Sequence, residues 1–345
     1  MNKTPYTAVP DAAIEKLLDR VLPEIADEIG ALRLPRLRAV VLGGGYGRGE
    51  GGVRSLEFRV QSLEFRVPGS EFGGAGSETL SNDLDFFAVT EEGASAAEIA
   101  AIGAALEPVS RRWTDRLGVD VDFTVRTPWR LRHDQERVMI QELIHGYFDV
   151  AGRKGAEMFK GIEGRPPSAF PWSEAVRLLV NRGVGLLFAR EQMQSSTQNS
   201  EPGTRNFILR NINKCVLGAG DARLIARGGY LWKAEDRAAA LGEPLYSAAV
   251  AWKFRPRQEG VCSWDEAQAE WLKAVDEVMS AGRRTGAMRR TVYQAVRWVG
   301  RRRTVGDLAT LGYGAVVRIL FKLAPVVRMR APLPPSLRRD WEIFN

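Results

Sequence analysis

Cysteine and histidine are scarce in this chain. Its 345 residues hold two cysteines, Cys215 and Cys262, and two histidines, His133 and His145. So few ligands, so widely scattered, argue against a zinc site of Cys/His type. The histidines are expected in structural or surface roles. Two distant cysteines also argue against a disulfide framework and for reduced thiols in a cytosolic protein. Long apolar runs are missing too. No stretch reaches the ~18 uninterrupted apolar residues of a membrane-spanning helix. The first residues are mixed and lack the apolar core of a secretory signal. A cytoplasmic protein without stable membrane insertion is expected.

What is present is ordinary in amount: 45% apolar and 26% charged residues, enough for a sizeable core. The length suggests two domains. Net charge is +7, which suits an anionic partner such as a nucleotide, a nucleic acid or an acidic membrane surface. The excess is concentrated in "GRRTGAMRRTVYQAVRWVGRRRT", residues 282–304, read first as a solvated basic face. The nine tryptophans are expected to pack cores and helix contacts, Trp129 among them, rather than to stack on bases.

The pattern changes along the chain. Ile14, Leu17, Leu18, Val21 and Ile25 recur at helical spacing over 11–30, and residues 37–42 read as a short buried strand. Strands are predicted at 84–89 and 119–125 with a helix over 95–117 between them; 135–149 reads as helix running into strand or turn. From 171 the chain reads as helices. Ser173 and Thr204 are candidate N-caps, and Gly228-Gly229 is a stop. A basic apolar segment near the end, "AVVRILFKLAPVVRMR", is expected to be a docked helix ended by Pro325.

Residues 43–52, "GGGYGRGEGG", follow the first strand. Glycines there serve either a tight turn or the close approach of a phosphate to bare backbone. Gly47-x-Gly49-x-x-Gly52 matches the dinucleotide fingerprint only formally, because no βαβ unit follows. No Gly-Lys-Ser/Thr follows, which excludes a Walker A loop. Next comes a tandem duplication, "SLEFRV" at 55–60 and 62–67, read as a loop insertion near 53–80 rather than as a strand ribbon.

Two later stretches carry paired acids: "NDLDFF" with Asp83 and Asp85, and "VDVDF" with Asp120 and Asp122. On a strand, residues i and i+2 share a face. If the two strands are neighbours, their carboxylates converge. Crowded acids repel unless protonated, paired or bound to cations. Hard cations such as Mg²⁺ favour carboxylates together with substrate phosphates.

"GGYGRGE", then "NDLDFF", then "VDVDF" resembles the nucleotidyltransferase superfamily of DNA polymerase beta type. The resemblance covers roughly residues 37–125. It implies an α+β fold: a nucleotidyltransferase-type mixed sheet with flanking helices over 1–160, then a C-terminal helical bundle over 161–345. Gly44 and Gly45 match the family's turn, Asp83 and Asp85 its metal-binding pair, and Asp122 its third acid, with Asp120 as a rival. The offset 83 − 44 = 39 residues is wider than the family's, and the duplication accounts for most of it. The implied activity moves an NMP from an NTP, such as ATP, to an acceptor hydroxyl, with two Mg²⁺ ions held by Asp83, Asp85 and Asp122. The acceptor is open: small molecule, protein or RNA. Arg48 is expected at a phosphate oxygen. Asn206, Arg210 and Lys214 form a polar stripe that is either solvated or brings Lys214 to the triphosphate. Asn181 and Arg182 are either a cleft-facing pair or a helix–helix contact. The rival reading is a non-catalytic nucleotide- or nucleic-acid-binding protein of the same fold.

Overall fold

A computed structural model describes residues 4–55, 78–195, 202–289 and 312–344. The chain divides into two units: Met1–Arg165 with Lys253–Arg257, and Pro166–Trp252 with Gln258–Asn345. The duplicated hexapeptides beyond Ser55, and most of the basic stretch at 282–304, lie outside the described residues.

The first unit is mixed α/β. Its sheet has the order β5-β4-β1-β6, with β1 at Leu37–Leu42, β4 at Leu84–Thr90, β5 at Val121–Arg126 and β6 at Phe148–Gly152. β1 pairs antiparallel with both β4 and β6, whereas β4 and β5 run parallel. A parallel pair needs a long crossover. Helix α3 (Ala96–Leu117) supplies it, opened by a Ser95/Glu98 capping box and closed at Gly118 in the left-handed region.

Alternation along the strands sorts the sheet into two faces. Val40, Leu42, Leu84, Phe86, Ala88 and Val121 pack against helix α1 (Ala12–Ala31) and α3. Ala39, Val41, Phe87 and Val89 pack against Leu131 of helix α4 (Pro128–His133), Ile140 and Leu143 of helix α5 (Val138–His145), and Phe159 beyond a short turn α6 (Gly155–Met158). That second face carries the acids at one end. A two-stranded ribbon, β2 (Val53–Ser55) and β3 (Glu78–Leu80), closes the two sides of the 56–77 segment together.

The second unit is helical. Its described helices are α7 (Trp172–Ser195), α8 (Pro202–Arg227), α9 (Ala234–Leu241), α10 (Pro244–Phe254), α11 (Trp264–Arg284), α12 (Gly312–Arg328) and α13 (Pro335–Phe344). Tryptophans join them. Trp271 is fully buried, and its Nε1 donates to the Leu179 carbonyl at 2.8 Å. Gly183 makes room for it: a Cβ there would sit 2.6 Å from the indole. Trp172 and Trp264 likewise donate to the carbonyls of Val278 and Leu186.

Several boundary expectations are corrected. Ser173 and Thr204 lie inside helices that begin at Trp172 and Pro202, so neither is a cap. Pro325 does not end its helix, which runs on to Arg328. The apolar stripe Val316, Ile319, Leu320, Leu323 and Val327 is buried across the proline, so packing outweighs the one lost hydrogen bond. Gly228 does stop α8, at φ +69°. Asn181 accepts from Trp341 Nε1 at 3.0 Å, and the Arg182 stem lies where a Gly218 Cβ would be. Both therefore make helix–helix contacts. Cys215 and Cys262 are free thiols, and burial pushes the Cys215 thiol up. Among the described residues no helix is long and apolar enough to cross a membrane.

Candidate functional site

The acids gather because of register. β4 and β5 pair without a bulge, and Asp85 stands directly opposite Asp122. The Leu84 amide donates to the Asp120 carbonyl at 2.8 Å, which continues the register to the preceding residues. Asp83 and Asp85 alternate with buried Leu84, and Asp122 alternates with buried Val121. All three therefore share the face of Phe87 and Val89, at the N-terminal ends of two strands about 4.8 Å apart.

The charges feel one another. Partial burial, then Asp120, Asp83 and Glu107, hold the Asp122 carboxyl above the ordinary aspartate range. Both Asp120 and Asp83 therefore act on Asp122. Among the described residues, no three His, Cys, Asp or Glu side chains close into one metal-ligating group. The carboxylates share a face and an end of the sheet without converging on one point.

The glycine-rich turn meets the same end. Gly43 N donates to the Asp85 carbonyl at 2.8 Å, which continues the β1–β4 ladder into the turn. Gly44–Gly47 then form a single helical turn, α2, whose first amides have no partner within it by helix geometry. Gly44 adopts φ +62°, and a Cβ there would fall 2.2 Å from Asp85 Oδ2. Glycine suits both: it adopts this backbone without strain and leaves the space that the Asp85 carboxylate occupies. Gly45 is less constrained; its nearest neighbour would be the Glu50 carbonyl at 3.3 Å.

Arg48, expected to meet a phosphate, meets two carboxylates. Its guanidinium lies 3.1 Å from Glu142 of α5 and 3.7 Å from Glu50. Glu50 is also 3.3 Å from Lys253 Nζ. These half-buried charges brace α5 against the turn. His145, at the end of α5, is held below its usual value by burial and by Arg48. Lys214 is exposed on α8 of the second unit, and the carboxylates belong to the first.

Tyr46 escaped the sequence reading. It is fully buried, and its hydroxyl donates to the Gly52 carbonyl at 2.6 Å and accepts from the Ser81 amide at 3.1 Å. Gly52 N in turn donates to Asn82 Oδ1 at 2.6 Å. Burial pushes the Tyr46 phenol up, so it stays a neutral strut. It ties the turn to the two residues before Asp83. The available signal was one aromatic among the seven glycines of "GGGYGRGEGG".

Carboxylate oxygens on one face are the donor type that a hard divalent cation takes, and Gly44 lets the Asp85 carboxylate lie against bare backbone. No protein-family model matches the chain, and no curated protein matches it.

Proposed function

We propose that the first unit transfers a nucleoside monophosphate from an NTP to an acceptor hydroxyl, with Asp83, Asp85 and Asp122 holding divalent cations. The observation that supports this most is the pairing of Asp85 with Asp122 in one parallel register, with Gly44 against the Asp85 carboxylate.

Asp83 and Asp85, from one strand, and Asp122, from its neighbour, would hold the ions. When bound, Mg²⁺ neutralises charge on the triphosphate and stabilises the in-line transition state. The turn amides of Gly44 and Gly45 offer hydrogen bonds to phosphate oxygens. The acceptor oxygen attacks the α-phosphorus, the bond to the β-phosphate oxygen breaks, and pyrophosphate leaves. Asp122 takes the acceptor proton. Tyr46 and the Arg48–Glu142 pair keep the turn and the acids in fixed relation.

The test is transfer of label. The full chain is incubated with Mg²⁺, each α-labelled NTP in turn, and a cell extract as the source of acceptor. Wild type should label an acceptor with at least one NTP. Asp83→Ala and Gly44→Ala should lose roughly a hundredfold or more, the scale seen when a transition-state contact is removed. Thermal stabilisation by NTP without transfer would favour the non-catalytic nucleotide-binding reading.

A further inference from the structure

The far end of β5 is not used by the reaction above. β5 is an edge strand, and Asp122, Thr124 and Arg126 share one face of it. Arg126 therefore lies about 13 Å along the strand from Asp122, roughly two to four nucleotides of a single strand.

Arg126 is half-buried. Its Nη1 donates to the Val125 carbonyl at 3.1 Å, and its Nε has no hydrogen-bond partner. Among the described residues no carboxylate forms an ion pair with it. Burial pushes its guanidinium down; Asp134 opposes this, and Arg130 and Arg137 add to it. Asp134 is already shared, at 2.8 Å from Arg130 and 3.5 Å from Arg137. Two guanidinium groups thus share one carboxylate, and Arg126 feels the charges of all three without an ion pair of its own. Two further acids of this unit are paired elsewhere: Glu92 with Arg132, and Glu136 with Arg165.

Beside this surplus stands an aromatic surface. Trp129 is 55% exposed, against the expectation that it packs in a core. Its ring stacks on His133, with centroids 5.0 Å apart and planes within 10°. Helix α4 is pinned by the Thr127 cap, which accepts from Arg130 N, and by fully buried Leu131. Trp129 is held outward by the same packing that anchors Leu131.

Unsatisfied guanidinium charge beside an exposed flat ring matches a chain that carries phosphates and unstacked bases. We infer that the end of β5 and helix α4 bind single-stranded nucleic acid, with phosphates at Arg126, Arg130 and Arg137 and a base on Trp129. The strand would run along the edge of the sheet toward Asp122. Resting on the nucleotidyl-transfer reading, this makes the acceptor a nucleic-acid end.

Fluorescence anisotropy of a short labelled single-stranded RNA with the full chain at low salt tests it. Wild type should bind. Trp129→Ala should weaken binding about tenfold, the scale of one lost stacking contact, with no change in melting temperature. Arg126→Gln should weaken it and lower the salt slope by about 0.7, the share of one phosphate contact. A duplex of the same composition should bind less well. Asp83→Ala should keep the RNA while losing label transfer, so the two readings fail separately. Equal binding by wild type, Trp129→Ala and Arg126→Gln would overturn the inference. So would displacement of the RNA by an equal concentration of inorganic phosphate.

Discussion

Asp122 carries its charge against partial burial first, then against Asp120, Asp83 and Glu107. Its carboxyl keeps a proton to higher pH in the folded chain than in the unfolded one. In the window above the ordinary aspartate value, the folded form binds more protons, so stability falls as pH rises through it. The penalty then persists at neutral pH. Asp122→Asn should therefore stabilise the fold at neutral pH by about 0.2–1 kcal/mol, the scale of one cross-strand charge pair. Below the ordinary aspartate range the gain should vanish. Urea unfolding at both pH values checks this; a variant less stable than wild type at neutral pH contradicts it. The acids were legible in the sequence because strand alternation puts i and i+2 on one face. Tyr46 and Arg126 were not: Tyr46 depends on its bonds to Gly52 and Ser81, and Arg126 on its burial and on the charges of Asp134, Arg130 and Arg137, none of which local periodicity encodes.

At the scale of elements, buried runs and helical periods predicted the sheet strands and the long helices well. β1 spans Leu37–Leu42 as expected, and α3 starts one residue inside the predicted 95–117. Ends were harder. Thr204 has the chemistry of a cap yet sits in the second turn's approach, because Pro202 already opens the helix. The β2–β3 ribbon was not anticipated from its own residues. Its register, Val53 with Leu80 and Ser55 with Glu78, brings the two ends of the 56–77 segment side by side. A short turn can therefore replace that segment without moving Asp83. Replacing 56–77 by a four-residue Gly/Asn turn should preserve the far-UV spectrum and raise stability by about 1–2 kcal/mol through reduced loop-closure entropy. Loss of cooperative unfolding would show the segment to be part of the core.

Across the whole molecule, an α/β unit and a helical unit are each built around their own core. The order β5-β4-β1-β6 could not be read from the strands alone, since any of several pairings buries the same apolar residues. What the sequence did carry was the consequence of one pairing: if β4 and β5 are neighbours, the acids meet beside the glycine turn. The structure contains that pairing and sets the acids along one face at one end of the sheet, without drawing them to one point. The most direct test of the metal-binding claim is Mn²⁺ binding, followed by electron paramagnetic resonance with ATP present, in wild type and in Asp85→Asn. The account predicts saturable binding by wild type and at least tenfold weaker binding by the variant, as for a lost charged ligand. Equal binding by the two proteins would contradict it.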